Sequence, residues 1–156
     1  MLTRRTLIIA AASSLAGCGR RNRRDETSSR SIPLYPNETP ELRRLINKYA
    51  DVHDIPVTLL HRVIVRESTH NPAARNGPYY GLMQILPQTA RTMGHKGPAT
   101  ELLDAETNLR YAGKYLRGAW LLSYGDEETA VGWYARGYYY EAKKRGMLVE
   151  TGLRRG

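Results

Sequence analysis

Apolar positions along the chain fall into helical rows, and most rows start and stop at recognisable signals. Leu42, Leu45, Ile46, Tyr49 and Ala50 share one helix face, behind a start made of Thr39, Pro40 and Glu41. Pro56 opens a second row, "IPVTLLHRVI", which runs to about Glu67 or Ser68 and stops before Asn71-Pro72. A third is expected from about Leu82 to Met93, restarted at Pro87 and ended by Gly94. Asp104 can cap a long helix whose Leu109, Ala112, Leu116, Ala119, Trp120 and Ser123 recur on one face. Asp126, with Glu127 and Glu128 behind it, starts another that Gly137 can end. A last one covers roughly Tyr138 to Arg145, before Gly146. Between the second and third rows, "NPAARNGPYYG" is an irregular loop with a turn at Asn76-Gly77-Pro78. No alternating strand is visible. The pattern predicts an all-α single domain.

One residue breaks the pattern. On a helical wheel Glu67 falls beside Leu60 and Ile64, on the apolar side. A carboxylate there either escapes to solvent at the helix end or stays half-buried with its pKa raised. A rise of about two units costs roughly 3 kcal/mol. That cost is useful where a neutral carboxylic acid must protonate a glycosidic oxygen near neutral pH. Periodicity alone leaves both readings open.

Outside the helical part, the first residues carry their own signal. "MLTRRTLIIAAASSLAGC" has a basic start at Arg4 and Arg5, an apolar run from Leu7 to Ala12 and then small residues. That is the layout of a secretory signal, too short to span a membrane. Its end, Leu15-Ala16-Gly17-Cys18, resembles the bacterial lipobox, in which the cysteine is lipidated and becomes the first mature residue. Cys18 is the single cysteine, so it has no internal disulfide partner. The expected division is a signal peptide at 1–17, a flexible linker at 18–37 and a folded domain at 38–156. The lipid would anchor the protein to a membrane surface, the outer membrane by analogy because Gly19 rather than Asp follows Cys18. The expected location is the periplasm. "TRRTLI" matches a twin-arginine signal only in part.

Charge and composition then narrow the chemistry. The formal net charge is +9, much of it in Arg20, Arg21, Arg23, Arg24 and Arg30, a serine-rich stretch that cannot order itself. An arginine arm suits phosphates, but the export signal before it argues against nucleic acid as a partner. Phe is absent and Tyr occurs 11 times, so rings in the core carry hydroxyls that need partners. His53, His61, His70 and His95 lack metal-ligand spacing, so no metal or other cofactor is expected. His61 reads as a hydrogen-bonded packing residue. No nucleophile elbow is present.

The loop after Glu67 supplies a resemblance. Glu67-Ser68, Asn71-Pro72, Ala74, Gly81-Leu82-Met83-Gln84, Pro87 and Thr89-Ala90 resemble the signature of the soluble-lytic-transglycosylase-like family. Downstream, Asn108-Leu109, Gly113 and Tyr115-Leu116 resemble that family's second motif. The resemblance covers about residues 40 to 146. It implies a lysozyme-like, goose-type helical fold, a single copy and peptidoglycan glycan strands as substrate. Glu67 would be the catalytic acid, with Ser68 and Asn76 beside it. Gly81, Leu82, Met83 and Gln84 would wall the glycan cleft, Met83 and the Gln84 amide lying near acetamido groups. Tyr134 would sit near the catalytic carboxylate.

Two departures stand out. Asn76 takes the place of a serine that often bonds the acid. Ala135-Arg136 replace the Asn-Ala of the family's "YNAG", which leaves subsite preference open. Trp133 and Tyr138 to Tyr140 are candidates either for sugar stacking or for core packing.

Ordinary glycoside hydrolysis needs two carboxylates, yet the loop from Ser68 to Gln84 contains no Asp or Glu. That absence fits a lytic transglycosylase, in which the family's glutamate works twice. It protonates the bridging oxygen, then takes the proton of the muramoyl 6-hydroxyl as that oxygen closes onto C1 to give a 1,6-anhydro end. A hydrolase of the same fold, or a non-catalytic peptidoglycan-binding lipoprotein, are the alternatives.

Overall fold

In the computed structural model, which describes residues 33–156, helix α1 (Pro40–His53) begins behind Thr39. The Thr39 hydroxyl accepts from the Leu42 N–H at 3.1 Å, with proline in the first turn where no donor is missed. Asp54 closes the helix in the left-handed conformation at φ 49°. Helix α2 (Val57–Ser68) follows at once and presents fully buried Leu59, Leu60, Val63 and Ile64 to the core. Its C-cap Thr69 and the next residue, His70, are both left-handed (φ 50° and 61°), so the chain turns sharply just past Glu67.

The expected third helix is shorter than its apolar row. Helix α3 covers only Pro87–Thr92. Leu82 to Leu86 are not helical, because Gly81 and Gln84 take left-handed φ values of 75° and 47°. The chain there makes a tight turn and returns beside a small hairpin. Strand β1 (Arg75–Asn76) pairs antiparallel with β2 (Tyr79–Tyr80), and Tyr80 forms a further bridge with Ile85. These strands are too short to show alternation in sequence.

Helix α4 (Ala105–Leu122) has 18 residues and is therefore about 27 Å long. Asp104 caps it by accepting from the Thr107 N–H at 2.8 Å. A short 3-10 helix (Ala99–Leu103) leads into it. Leu109, Ala112, Leu116 and Ala119 of α4 are fully buried, and α1, α3 and α5 (Glu127–Arg136) all pack against this helix. The close approach of α1 depends on Gly113, where a Cβ would collide with the His53 ring, and Gly118 likewise makes room for the Tyr138 hydroxyl. Asp126 caps α5 through the Thr129 N–H at 2.7 Å. Helix α6 (Tyr139–Lys144) completes the domain.

Leu34–Gly156 form one mostly helical unit, matching the all-α expectation apart from the small hairpin. No helix among the described residues is long and apolar enough to cross a membrane. The expected signal peptide at 1–17, Cys18 and most of the expected linker lie outside the described residues. The linker's expected end at residue 37 shifts back. Tyr35 stacks on His70 at 4.8 Å between ring centroids, and the Asn37 amide donates to the Thr69 carbonyl, so this stretch belongs to the folded unit.

Candidate active site

Glu67 closes the buried stripe of α2, three residues past Ile64 and seven past Leu60. Its side chain is 23% exposed, neither free in water nor sealed. Burial pushes its carboxyl above the ordinary value of 4.5, and Arg66 opposes that rise from 3.6 Å. Among the described residues no hydrogen bond holds the Glu67 carboxylate, and no second carboxylate is among the groups that shift it. The arrangement lets Glu67 keep its proton to a higher pH than an exposed glutamate does.

Facing this helix end is the turn Gly81–Gln84, held by side chains from three helices. Ser68 Oγ of α2 donates to the Leu82 carbonyl at 2.7 Å. Tyr134 of α5 donates its hydroxyl to the Met83 carbonyl at 2.8 Å. Asn108 of α4, fully buried, accepts from the Met83 N–H at 3.0 Å and donates to the Tyr80 and Leu102 carbonyls, both at 2.8 Å. Gln84 donates its amide to the Gly81 and Ala74 carbonyls. Gly81 is required twice over: its φ is left-handed, and a Cβ would strike the Leu102 carbonyl and the Asn108 amide.

This network relocates several expected roles. Leu82 and Met83 are fully buried, so neither side chain is available to an acetamido group. Met83 fills the core while its backbone anchors the turn. The Gln84 amide is committed to backbone carbonyls of its own loop. Asn76 lies exposed on β1, and no hydrogen bond joins it to Glu67. Tyr134 is buried under the turn, and its hydroxyl is pushed well up by burial and by the negative charge of Glu67. Asn108 had been visible only as part of a motif; nothing in its local spacing announces that it anchors a turn more than twenty residues earlier.

Behind the acid, the chain's sharp reversal is clamped by a cluster that sequence spacing did not reveal. The Nδ1 of His61 and the Nε2 of His70 share a hydrogen bond at 3.0 Å, and Tyr35 packs on both rings. Glu38 lies beneath, its side chain sealed from solvent and gripped by Arg43 through two contacts of 2.6 Å. The Tyr35 N–H donates to the same carboxylate at 2.9 Å. Glu38, His61 and His70 could offer ligand atoms within 4.8 Å of one another, so two of the four histidines meet in space although they are scattered in sequence. Yet both Glu38 oxygens already accept from Arg43, and a cation there would meet that guanidinium. The chemistry of the group is that of a hydrogen-bonded clamp.

Tyr134 also borders an open cavity of about 230 Å³, walled by Tyr79, Gln84, Leu86, Tyr115 and Arg136 among others. Glu67 does not line it, but Tyr134 borders it and feels the Glu67 charge. Of the tyrosine triplet, Tyr138 is buried, with its hydroxyl on the Tyr115 carbonyl at 2.7 Å, whereas Tyr139 and Tyr140 are exposed. None of the three lines the cavity; Tyr79 and Tyr115 do.

The transglycosylase SLT domain matches residues 44–146, which contain Glu67, the turn, Asn108 and Tyr134. The chain belongs to the transglycosylase SLT family. No solved structure matches it. Within this SLT domain, the turn, the half-buried glutamate and the tyrosine beneath the turn form one connected constellation. Ala135 and Arg136, where the resemblance had Asn and Ala, border its open side.

Proposed function

We propose that this SLT domain cleaves the β-1,4 bond between N-acetylmuramic acid and N-acetylglucosamine in peptidoglycan, with Glu67 as the single acid and base. The observation that carries the reading is the state of the Glu67 carboxyl: half-buried, raised in pKa, free of hydrogen-bond donors and without a carboxylate partner. A protonated Glu67 gives its proton to the bridging oxygen, and the C1–O4 bond breaks with that oxygen taking the electron pair. The carboxylate then accepts the proton of the muramoyl 6-hydroxyl as O6 bonds to C1. The strand ends in a 1,6-anhydro sugar, the other fragment carries a 4-hydroxyl, and Glu67 is protonated again. Because the nucleophile is intramolecular, no second carboxylate is needed to activate water.

Mass spectrometry of digested glycan strands tests the reaction. The expected products are lighter by one water than hydrolysis products. Reducing ends instead would assign a hydrolase, and equal inactivity of the wild type and Glu67→Gln would remove the enzyme reading. We further propose that residues 1–17 direct export and that lipidated Cys18 tethers the domain to the periplasmic face of the outer membrane. Incorporation of labelled fatty acid that disappears in Cys18→Ser checks that step.

A further inference from the structure

The family resemblance leaves Arg136 unexplained, and its surroundings give it a job. Arg136 ends α5 and is exposed, with its guanidinium 4.0 Å above the centre of the Trp133 ring. Stacking of this kind fixes the plane of the fork while leaving its N–H groups free to bond outward. Among the described residues no ion pair or hydrogen bond engages its side chain. The residues lining the cavity beside it are aromatic, aliphatic or uncharged polar, so Arg136 carries the only charge on that wall. Trp133 packs partly buried against the core, and among the described residues its indole N–H has no partner. An oriented, unpaired guanidinium on an otherwise neutral wall is complementary to a planar anion.

We infer that Arg136, seated on Trp133, is a carboxylate-recognising subsite of the glycan cleft, and that it selects strands carrying a free carboxylate next to the scissile bond. The inference rests on the glycan-cleaving reading above, because the cavity is walled by Tyr134, whose hydroxyl holds the same turn that Ser68, the neighbour of Glu67, holds from the other helix. Peptidoglycan offers that chemistry from two sources. A muramoyl lactyl group presents a free carboxylate where its stem peptide has been removed; where the peptide remains, the lactyl group is an amide and the peptide's own carboxylates take its place. The bidentate match of guanidinium to carboxylate is the same in either case.

Binding separates this subsite from the chemistry. In the full chain carrying Glu67→Gln, affinities are measured for peptide-free strands, for the same strands methyl-esterified on the lactyl group, and for peptide-bearing strands with and without esterification. Carboxylate strands should bind at least about tenfold more tightly than their esters. That ratio should fall to about one when Arg136→Gln is added. Arg136→Lys, which keeps the charge without the planar fork, should retain part of it. The strand type on which esterification acts identifies the source of the carboxylate. A ratio near one in the presence of Arg136, or one that Arg136→Gln leaves intact, overturns the subsite. If the wild type yields no cleaved product while the ratio persists, the catalytic reading fails and the subsite stands. Circular dichroism of each variant establishes that the exposed substitution leaves the fold in place.

Discussion

Two glutamates on opposite sides of the same chain reversal are withdrawn from water, with opposite results. Glu38 is sealed, yet its carboxyl lies below the ordinary value. Burial pushes it up, but the Arg43 guanidinium, the Tyr35 N–H and the fields of His61 and Arg43 outweigh that push. Glu67 is less buried, but it has no donor, and its carboxyl lies above the ordinary value. Burial alone therefore does not set the proton; the number of donors aimed at the oxygens does. The fold places a locked anion and a poised acid on either side of one reversal.

The comparison breaks most visibly at Glu67. Glu67→Gln should lower turnover on glycan strands by about a thousandfold or more, read by release of soluble fragments. It should not lower stability. Because the folded pKa of Glu67 is raised, its contribution is fully present below about pH 4.5 and is lost as pH climbs through the folded value. Removing the charge should therefore raise Tm slightly at neutral pH, by about 1–3 °C, and the gain should vanish in acid. The rate of the wild type should likewise fall as pH rises through that value.

Glu38→Gln should do the reverse. Loss of the carboxylate breaks the sealed Glu38–Arg43 ion pair, at a cost of about 3–5 kcal/mol by denaturant unfolding. Any fall in activity should track the unfolded fraction. Acid should loosen the same clamp. Burial first, and then the nearby charge of Arg43, hold His61 down to about 4 against the pull of Glu38, and burial also lowers His70. A depressed pKa means that stability is present above the unfolded value of 6.5 and is lost as pH falls from there toward 4. The expected loss is on the order of 3 kcal/mol, and His61→Gln should flatten this limb of the stability profile.

The smallest expected effect sharpens the link between turn and acid. Asn108→Ala unmakes three hydrogen bonds and leaves the Met83 N–H without its partner, costing about 2 kcal/mol. Because the turn lies over Tyr134, which senses Glu67, its activity should fall further than stability alone explains, shown by a changed pH–rate profile.

The helices were largely legible from sequence because their information is local. Thr39, Asp104 and Asp126 cap as their positions predict, and Gly137 ends α5. The stretch Leu82–Leu86 misled because its apolar residues keep a helical spacing while its hydrogen bonds go elsewhere. Ser68, Asn108 and Tyr134 reach it from 14, 25 and 51 residues away, and no window of sequence contains them together. Glu67 could be singled out, because a carboxylate on an apolar face is a local anomaly. The clamp could not, since Glu38, His61 and His70 meet only after α1 and α2 have packed.

The turn Gly81–Gln84 has a consequence for how such a protein can be controlled. Its donors and acceptors are claimed by α2, α4 and α5 at once, so it cannot detach without loosening the whole core. Its amides, that of Met83 above all, should exchange with deuterium only at the rate of global opening. A turn welded in this way has no closed position to relax into. If the proposed cleavage is this domain's activity, restraint on it has to come from outside the turn.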